Sequence, residues 1–242
     1  MTKPYILCID TAQESCHLAL LNTQTDAITL NDAEVSRERK QAEIIFGQIN
    51  TLLKTHGVSK SEIGAVAFGM GPGSFTGLRV ACGVAQGIAW GLEVPVIPVN
   101  NLEVTAYDTL LEDGAQVGNR IAVMLDARMN ELYTGLYEVA EDGTLMEREA
   151  AQLVKPEDAK AWLVAHQADV LVGNGAKVYA EAFADLPLVN AGEPKNFAKA
   201  LAKVSFLNWQ AKKTIAPQLA SPLYVRDRVA LTAEQRRRGE KL

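Results

Sequence analysis

The residues with the clearest chemical potential lie in one run, GPGSFTGLR, from Gly71 to Arg79. It joins a short apolar stretch, 65–69, to a long helical pattern that ends near Leu92. Gly71, Gly73 and Gly77 admit backbone conformations and close approaches that other residues resist. Ser74 and Thr76 are residue types that cap a helix start by accepting backbone N–H bonds. A strand, a glycine loop and a helix N-terminus together suit an anion, because unpaired N–H groups and the helix dipole point at the loop. The same residues suit a tight turn that lets a helix pack closely on its strand, and both readings stand. The run is not a P-loop, since no Lys-Ser/Thr pair follows the last glycine. Nor is it G-x-G-x-x-G, since Gly77 comes one residue late.

Two carboxylates share a position of a second kind. Asp10, followed by Thr11, closes the apolar run from Tyr5, and Asp126 closes the apolar run from Arg120. A carboxylate at the end of a buried strand costs energy unless it meets donors, a metal or a ligand. Gly173 and Gly175, in GNGA, make a second glycine turn. Two strand-end aspartates and two glycine turns would suit a Mg-nucleotide held between two lobes, with carboxylates reaching the metal through water. Asp10 could equally cap its own turn through Thr11.

The helix after the first loop is unusual. Gly83, Gly87 and Gly91 recur every four residues, as do Ala81, Ala85 and Ala89, and Val80, Val84 and Ile88. Residues four apart share a helix face. Arg79 and Gln86 are nearly the only polar side chains before Glu93. A helix so apolar all round is expected to be covered on more than one side. Each interior glycine costs up to about 1 kcal/mol against alanine, so the row implies a close helix contact, either within the chain or with another subunit.

The surrounding elements follow from periodicity and punctuation. Strands are expected over Tyr5–Asp10, His17–Leu21 and Ala27–Glu34, the first two as a hairpin. A helix from Glu38 to Thr55 carries an apolar stripe of Ala42, Ile45, Phe46, Ile49, Leu52 and Leu53, with Ile44 outside it as a candidate exposed contact. A strand at Ala65–Gly69, the glycine loop and helix, a strand at Val96–Val99 and a helix at Asn101–Leu111 follow. This order implies parallel pairing with right-handed crossovers. After a polar stretch, Glu112–Asn119, the opening pattern recurs: Arg120–Asp126, Glu131–Val139 and Leu145–Val154, a weak repeat of topology. A helix then starts at Pro156 and runs to about His166. Val170–Val172, the GNGA turn and a last long helix, Asn196–Thr214, come next. The tail PLYVR is extended, and Thr232 with Gln235 marks a capping box for a terminal helix. The expected division is 1–112, 113–216 and a tail 217–242 packing back on the first lobe.

Composition narrows the function classes. Of 242 residues, 48% are hydrophobic and 22% charged, the balance of a globular chain with a real core. A net charge of −5 argues against a free-standing nucleic-acid binder. Cys8, Cys16 and Cys82 lack metal spacing and read as reduced core residues of a cytoplasmic protein. The opening residues do not form a cleavable leader, and no apolar run reaches membrane-spanning length. His17, His56 and His166 give no zinc spacing, and no Gly-x-Ser-x-Gly elbow supports a serine hydrolase.

At this point a resemblance enters. ILCIDTAQESCHLALL, GPGSFTGLRVACGVAQGIAWGLEVPVIPVNNL, DARMNELYTGLYE and the tail PLYVR resemble the bacterial TsaB (YeaZ) family over nearly the whole chain. The resemblance implies an α/β, two-lobed actin-like ATPase (ASKHA, RNase H-like) fold with a mixed sheet in each lobe. It implies a part in making threonylcarbamoyladenosine (t6A) beside the tRNA anticodon. It also implies a scaffold rather than a catalyst: the family resembles its catalytic partner TsaD but lacks the metal-binding histidines, and here the first long helix, RERKQAEIIFGQIN, has no histidine pair. The implied partners are TsaD through the two first-lobe helices, the ATPase TsaE in the same complex, and a second copy of the chain when alone. tRNA is met only indirectly, and a membrane not at all. No intrinsic cofactor is implied, although ATP or ADP with Mg could sit at the complex interface. The cradle candidates are then Asp10, Thr11, Gly71, Gly73, Ser74, Thr76, Asp126, Gly173 and Gly175. The contact candidates are Ile44, Ile45, Ile49, Arg79, Gly83, Gln86, Gly87, Trp90 and Gly91. An active nucleotide-dependent transferase of the same fold is the main alternative; a metal-dependent peptidase and a plain tRNA-binding module are further ones.

Overall fold

Alternation of side chains along the strands decides the layers, because successive residues point to opposite faces. In β1 (Tyr5–Asp10), Leu7 and Ile9 enter one core while Ile6 and Cys8 enter another. In β4 (Ile63–Gly71), Val66 and Phe68 join the first core, and Ala65 and Ala67 the second. A strand buried on both faces needs helices on both sides of its sheet. The computed structural model supplies them; it describes residues 3–13, 15–31, 41–112, 115–226 and 238.

The first sheet adds β2 (His17–Asn22), β3 (Ile28–Asn31) and β5 (Val96–Asn100), in the order β3-β2-β1-β4-β5. The pairs β1–β2 and β2–β3 are antiparallel, and β1–β4 and β4–β5 are parallel. The second sheet repeats this order. It contains β6 (Arg120–Arg128), β7 (Glu131–Val139), β8 (Leu145–Val154), β9 (Val170–Val172) and β10 (Val189–Gly192). Read from its antiparallel edge it runs β8-β7-β6-β9-β10, with β6–β9 and β9–β10 parallel. Two mixed sheets of one topology, each flanked by helices, form the two-lobed actin-like fold that the resemblance implied.

Helix α1 (Gln41–Thr55) and helix α2 (Phe75–Leu92) cover one face of the first sheet, through Ile45, Ile49, Leu52 and Leu53 and through Ala81, Val84, Ala85 and Ala89. Helix α3 (Asn101–Leu111) stands between the sheets: Val104 enters the first lobe's core, while Leu102 and Ala106 enter the second lobe's. Helix α4 (Pro156–Ala165) and the short α5 (Gly175–Val178) lie by the second sheet, where Ala159 and Leu163 meet Ala122 and Met124.

Helix α6 (Phe197–Gln210) departs from the expected division. It follows the second sheet in sequence but packs on the first, where Phe197, Leu201 and Val204 meet Ile6, Cys8, Ala19 and Leu21. That face of the first sheet is left open by α1 and α2, so the chain returns to close it. The helix also stops at Gln210, short of Thr214. Lys212 turns left-handed, and Ile215 bridges to Val96 at the sheet edge. β10 and the 3-10 turns at Lys60–Glu62 and Ala180–Phe183 are found without a sequence expectation. The expected continuation of β3 to Glu34, the start of α1 at Glu38 and the terminal helix at Thr232 lie outside the described residues. Among the described residues no helix is long and apolar enough to cross a membrane.

Candidate functional site

The glycine loop is built against the first hairpin. Ser74 caps α2, its hydroxyl accepting from Gly77 N at 3.5 Å, and Ser74 N donates to the Ala12 carbonyl at 2.9 Å. Thr11 is buried, and its hydroxyl donates to the Gly77 carbonyl at 2.6 Å. A Cβ on Gly77 would lie 1.9 Å from the Thr11 carbonyl oxygen, and one on Gly73 would lie 2.9 Å from the Ala12 Cβ. Gly71, at φ +123°, faces the Leu223 carbonyl, where a Cβ would come to 2.9 Å. Thr76 is exposed. These glycines therefore serve a close approach between two stretches of the chain's own backbone. There is no room for a methyl group between them.

Asp10 is fully buried, and its partners are internal. Oδ1 accepts from Ala12 N at 2.9 Å and Gln13 N at 3.3 Å, and Oδ2 accepts from Asn101 Nδ2 at 2.8 Å. Asn101 completes the network by accepting from Gly71 N through Oδ1 at 3.2 Å. Gly69 makes the space: a Cβ there would fall 1.8 Å from Asp10 Oδ2. Burial pushes the Asp10 carboxyl above its ordinary range, opposed by the charge of His17 and the three donated bonds. Asp10 thus ties the hairpin to the start of α3 and to the glycine loop.

A swap tests this. Asp10→Asn sets two amide NH2 groups against each other and should cost about 2 kcal/mol, the typical penalty for an unsatisfied buried donor. Adding Asn101→Asp restores the donor–acceptor pair and should recover more than half of that loss in urea unfolding. A double variant no more stable than the single would remove Asp10–Asn101 from the account.

The second lobe repeats the device. Asp126 Oδ1 accepts from Arg128 N at 2.9 Å and from the Tyr179 hydroxyl at 3.1 Å, while Oδ2 pairs with Arg128 Nη1 at 3.0 Å. Asp126 N donates to Asn174 Oδ1 at 2.8 Å, which locks the GNGA turn. A Cβ on Gly173 or Gly175 would lie 2.4 or 2.8 Å from the Met124 carbonyl oxygen. The glycines and aspartates of both lobes' cradles thus make close contacts and hydrogen bonds within the chain itself. Among the described residues no group of three His, Cys, Asp or Glu side chains could hold a metal ion. Burial pushes the Cys8 and Cys16 thiols up to about 12, Cys16 with help from Asp10, so neither is a ready thiolate.

The contact candidates divide. Ile45 and Ile49 are core residues, 0% and 4% exposed, because this side of α1 faces its own sheet; they are not outward anchors. Phe46, placed by periodicity in the buried stripe, is 51% exposed, and Ile44 is half-buried. Gln86 is committed to the chain's own tail, donating to the Pro217 and Ala220 carbonyls at 3.2 and 2.9 Å. Arg79 is exposed, but its Nε donates to the Tyr224 hydroxyl. Gly83, Gly87 and Gly91 are exposed, and among the described residues nothing lies within 4 Å of a Cβ on any of them. Trp90 stands beside the row, 67% exposed. Sequence reasoning missed Asn101, Asn174 and Tyr179 as partners of the aspartates. Asn101 begins α3 straight after the Asn100 cap, so the pair Asn100-Asn101 was its only signal.

Comparison with known proteins agrees with this architecture. The family model described as "TsaD: tRNA N6-adenosine threonylcarbamoyltransferase" matches residues 35–223. The tRNA threonylcarbamoyladenosine biosynthesis protein TsaB of Escherichia coli (strain K12) is 34% identical over 228 residues, 93% of this chain and 96% of that protein. The protein of the same name from Haemophilus influenzae is 33% identical over 237 residues, covering 93% and 94%. The solved structure of YeaZ from Pseudomonas aeruginosa superposes with a TM-score of 0.75 at 30% identity, over 93% of this chain and all of that one.

Proposed function

Because this chain belongs to the TsaB family of tRNA threonylcarbamoyladenosine biosynthesis proteins, we propose that it is the non-catalytic scaffold subunit of the complex that transfers threonylcarbamoyl to tRNA, and that its α2 face seats TsaD. The glycine row carries this reading. Each interior helical glycine costs up to about 1 kcal/mol, and among the described residues nothing stands near enough to a Cβ on Gly83, Gly87 or Gly91 to offset that. A helix from another subunit would, since small residues let two helices approach closely and interlock. Trp90 offers the large exposed aromatic that anchors such contacts. Phe46 is a second large exposed apolar side chain, on α1, which covers the same face of the first sheet.

When TsaD is scarce, two copies of the chain pair through this face, as a self-complementary patch allows. TsaE joins the assembled complex. With a net charge of −5, the chain meets tRNA through its partners. Its own loops are closed on themselves, so a Mg-nucleotide at the subunit boundary would depend on the partner's groups. The missing histidine pair in α1 supports the scaffold role. Reconstitution tests it: with TsaD, TsaE, a threonylcarbamoyl donor and tRNA, modified adenosine should appear only when this chain is added, and this chain alone should make none. Modification by the chain without TsaD, or tight Mg-ATP binding lost in Asp10→Ala, would favour the active-transferase alternative.

A further inference from the structure

The extended tail segment 222–226 touches both lobes. Leu223 N donates to the Met70 carbonyl at 2.7 Å, on the last turn of β4 into the glycine loop. The Tyr224 ring packs against Phe75 at 5.6 Å between centroids. Its hydroxyl accepts from Arg79 Nε at 3.0 Å, and the Arg79 guanidinium lies 3.9 Å over the Phe75 ring. Two residues later the chain has crossed to the second lobe. Arg226 Nε donates to Glu131 Oε2 at 3.1 Å, and Nη2 bonds the same carboxylate. Nη2 also donates to the Arg128 carbonyl, and Nη1 to Met129 Sδ, each at 3.3 Å. The Arg226 side chain is only 13% exposed.

The structure grasped by Arg226 is itself strained. Arg128, Met129 and Asn130 are consecutive non-glycine residues at φ +62°, +56° and +57°. Left-handed backbone is unfavourable for non-glycine residues, least so for asparagine, and it persists where the surroundings over-determine it. A planar guanidinium holding a carboxylate and a backbone carbonyl together is suited to that task.

We infer that residues Leu223–Arg226 form a strap that fixes the angle between the lobes, with Arg226 clamping the Arg128–Glu131 turn and the Phe75–Arg79–Tyr224 stack holding the other end. Helix α3 links the lobes from inside, with side chains in both cores; the strap adds a tie at the surface. Because its near end lies on the first turn of α2, the strap also sets where the second lobe stands relative to that helix. The inference rests on intrachain contacts and is independent of any partner.

The test uses the full chain with spin labels at Lys60→Cys in the first lobe and Glu141→Cys in the second, both exposed positions. Arg226→Ala should broaden the interlobe distance distribution and raise trypsin cleavage after Arg128 about tenfold, with near-ultraviolet circular dichroism unchanged. Glu131→Gln, which leaves the tail intact, should give the same two effects, and the double variant should match either single one, as expected of residues acting as a unit. Distances and cleavage like the parent's in both single variants, or additive effects in the double variant, would overturn the strap.

Discussion

Replacing Gly77 with alanine should strongly destabilise the first lobe. The added methyl would sit 1.9 Å from the Thr11 carbonyl oxygen and 2.8 Å from the Ala12 Cα, both backbone atoms of the adjacent hairpin. Neither can turn away as a side chain can. Relief would require α2 to lift from the hairpin, breaking the Thr11–Gly77 bond and the Ser74–Ala12 bond together. The cost should reach about 3 kcal/mol or more, the upper range for overpacking a tight core, out of a total stability of about 5–15 kcal/mol. Thermal unfolding followed by circular dichroism checks it. A melting temperature within a degree or two of the parent's would show that the loop has slack, and would reopen the space between loop and hairpin to a ligand.

Ten residues further along the same helix, the same residue type should behave oppositely. Among the described residues no atom lies within 4 Å of a Cβ at Gly87, so the substitution Gly87→Leu starts into open space. It removes a helix-interior glycine, which should stabilise the isolated protein by about 0.5–1 kcal/mol. Yet a leucine there holds off any helix that needs the small-residue row, so self-association and TsaD binding should each weaken at least a hundredfold. A variant both more stable and less sociable separates an interface residue from a packing residue. Sedimentation at several concentrations, beside a urea melt, reads both effects. A Gly87→Leu protein that is destabilised at concentrations where the parent is monomeric would instead assign the row to packing inside the chain.

The contrast between Gly77 and Gly87 also marks what the sequence could and could not convey. Spacing placed α2, its Ser74 cap and the row of glycines, because those depend on neighbours within a few positions. It could not say that Gly77 lies on Thr11, sixty-six residues away, while Gly87 faces outward. On α1 the period locates an apolar stripe containing Ile45 and Ile49 but not its edges, so it puts the exposed Phe46 inside, and the contact role that the resemblance implies for Ile45 and Ile49 conflicts with their place in the core. Rotation of one residue, about 100° on the helix, decides that, and the sheet beneath fixes the rotation. The recurrence of strand, aspartate, turn and strand was legible because both lobes carry it locally. The return of α6 to the first sheet was not, since an amphipathic helix announces that it will be covered without naming the surface. The tail PLYVR read as extended, and its two destinations, Phe75 and Glu131, lie in different lobes.

The most direct measurement is calorimetric titration of the TsaD subunit from the same organism into this chain and, in parallel, into the Gly87→Leu variant. The scaffold account predicts a one-to-one complex with the parent and loss of measurable binding with the variant, while both remain folded. Equal affinity for the two proteins, or no complex with either, would contradict it.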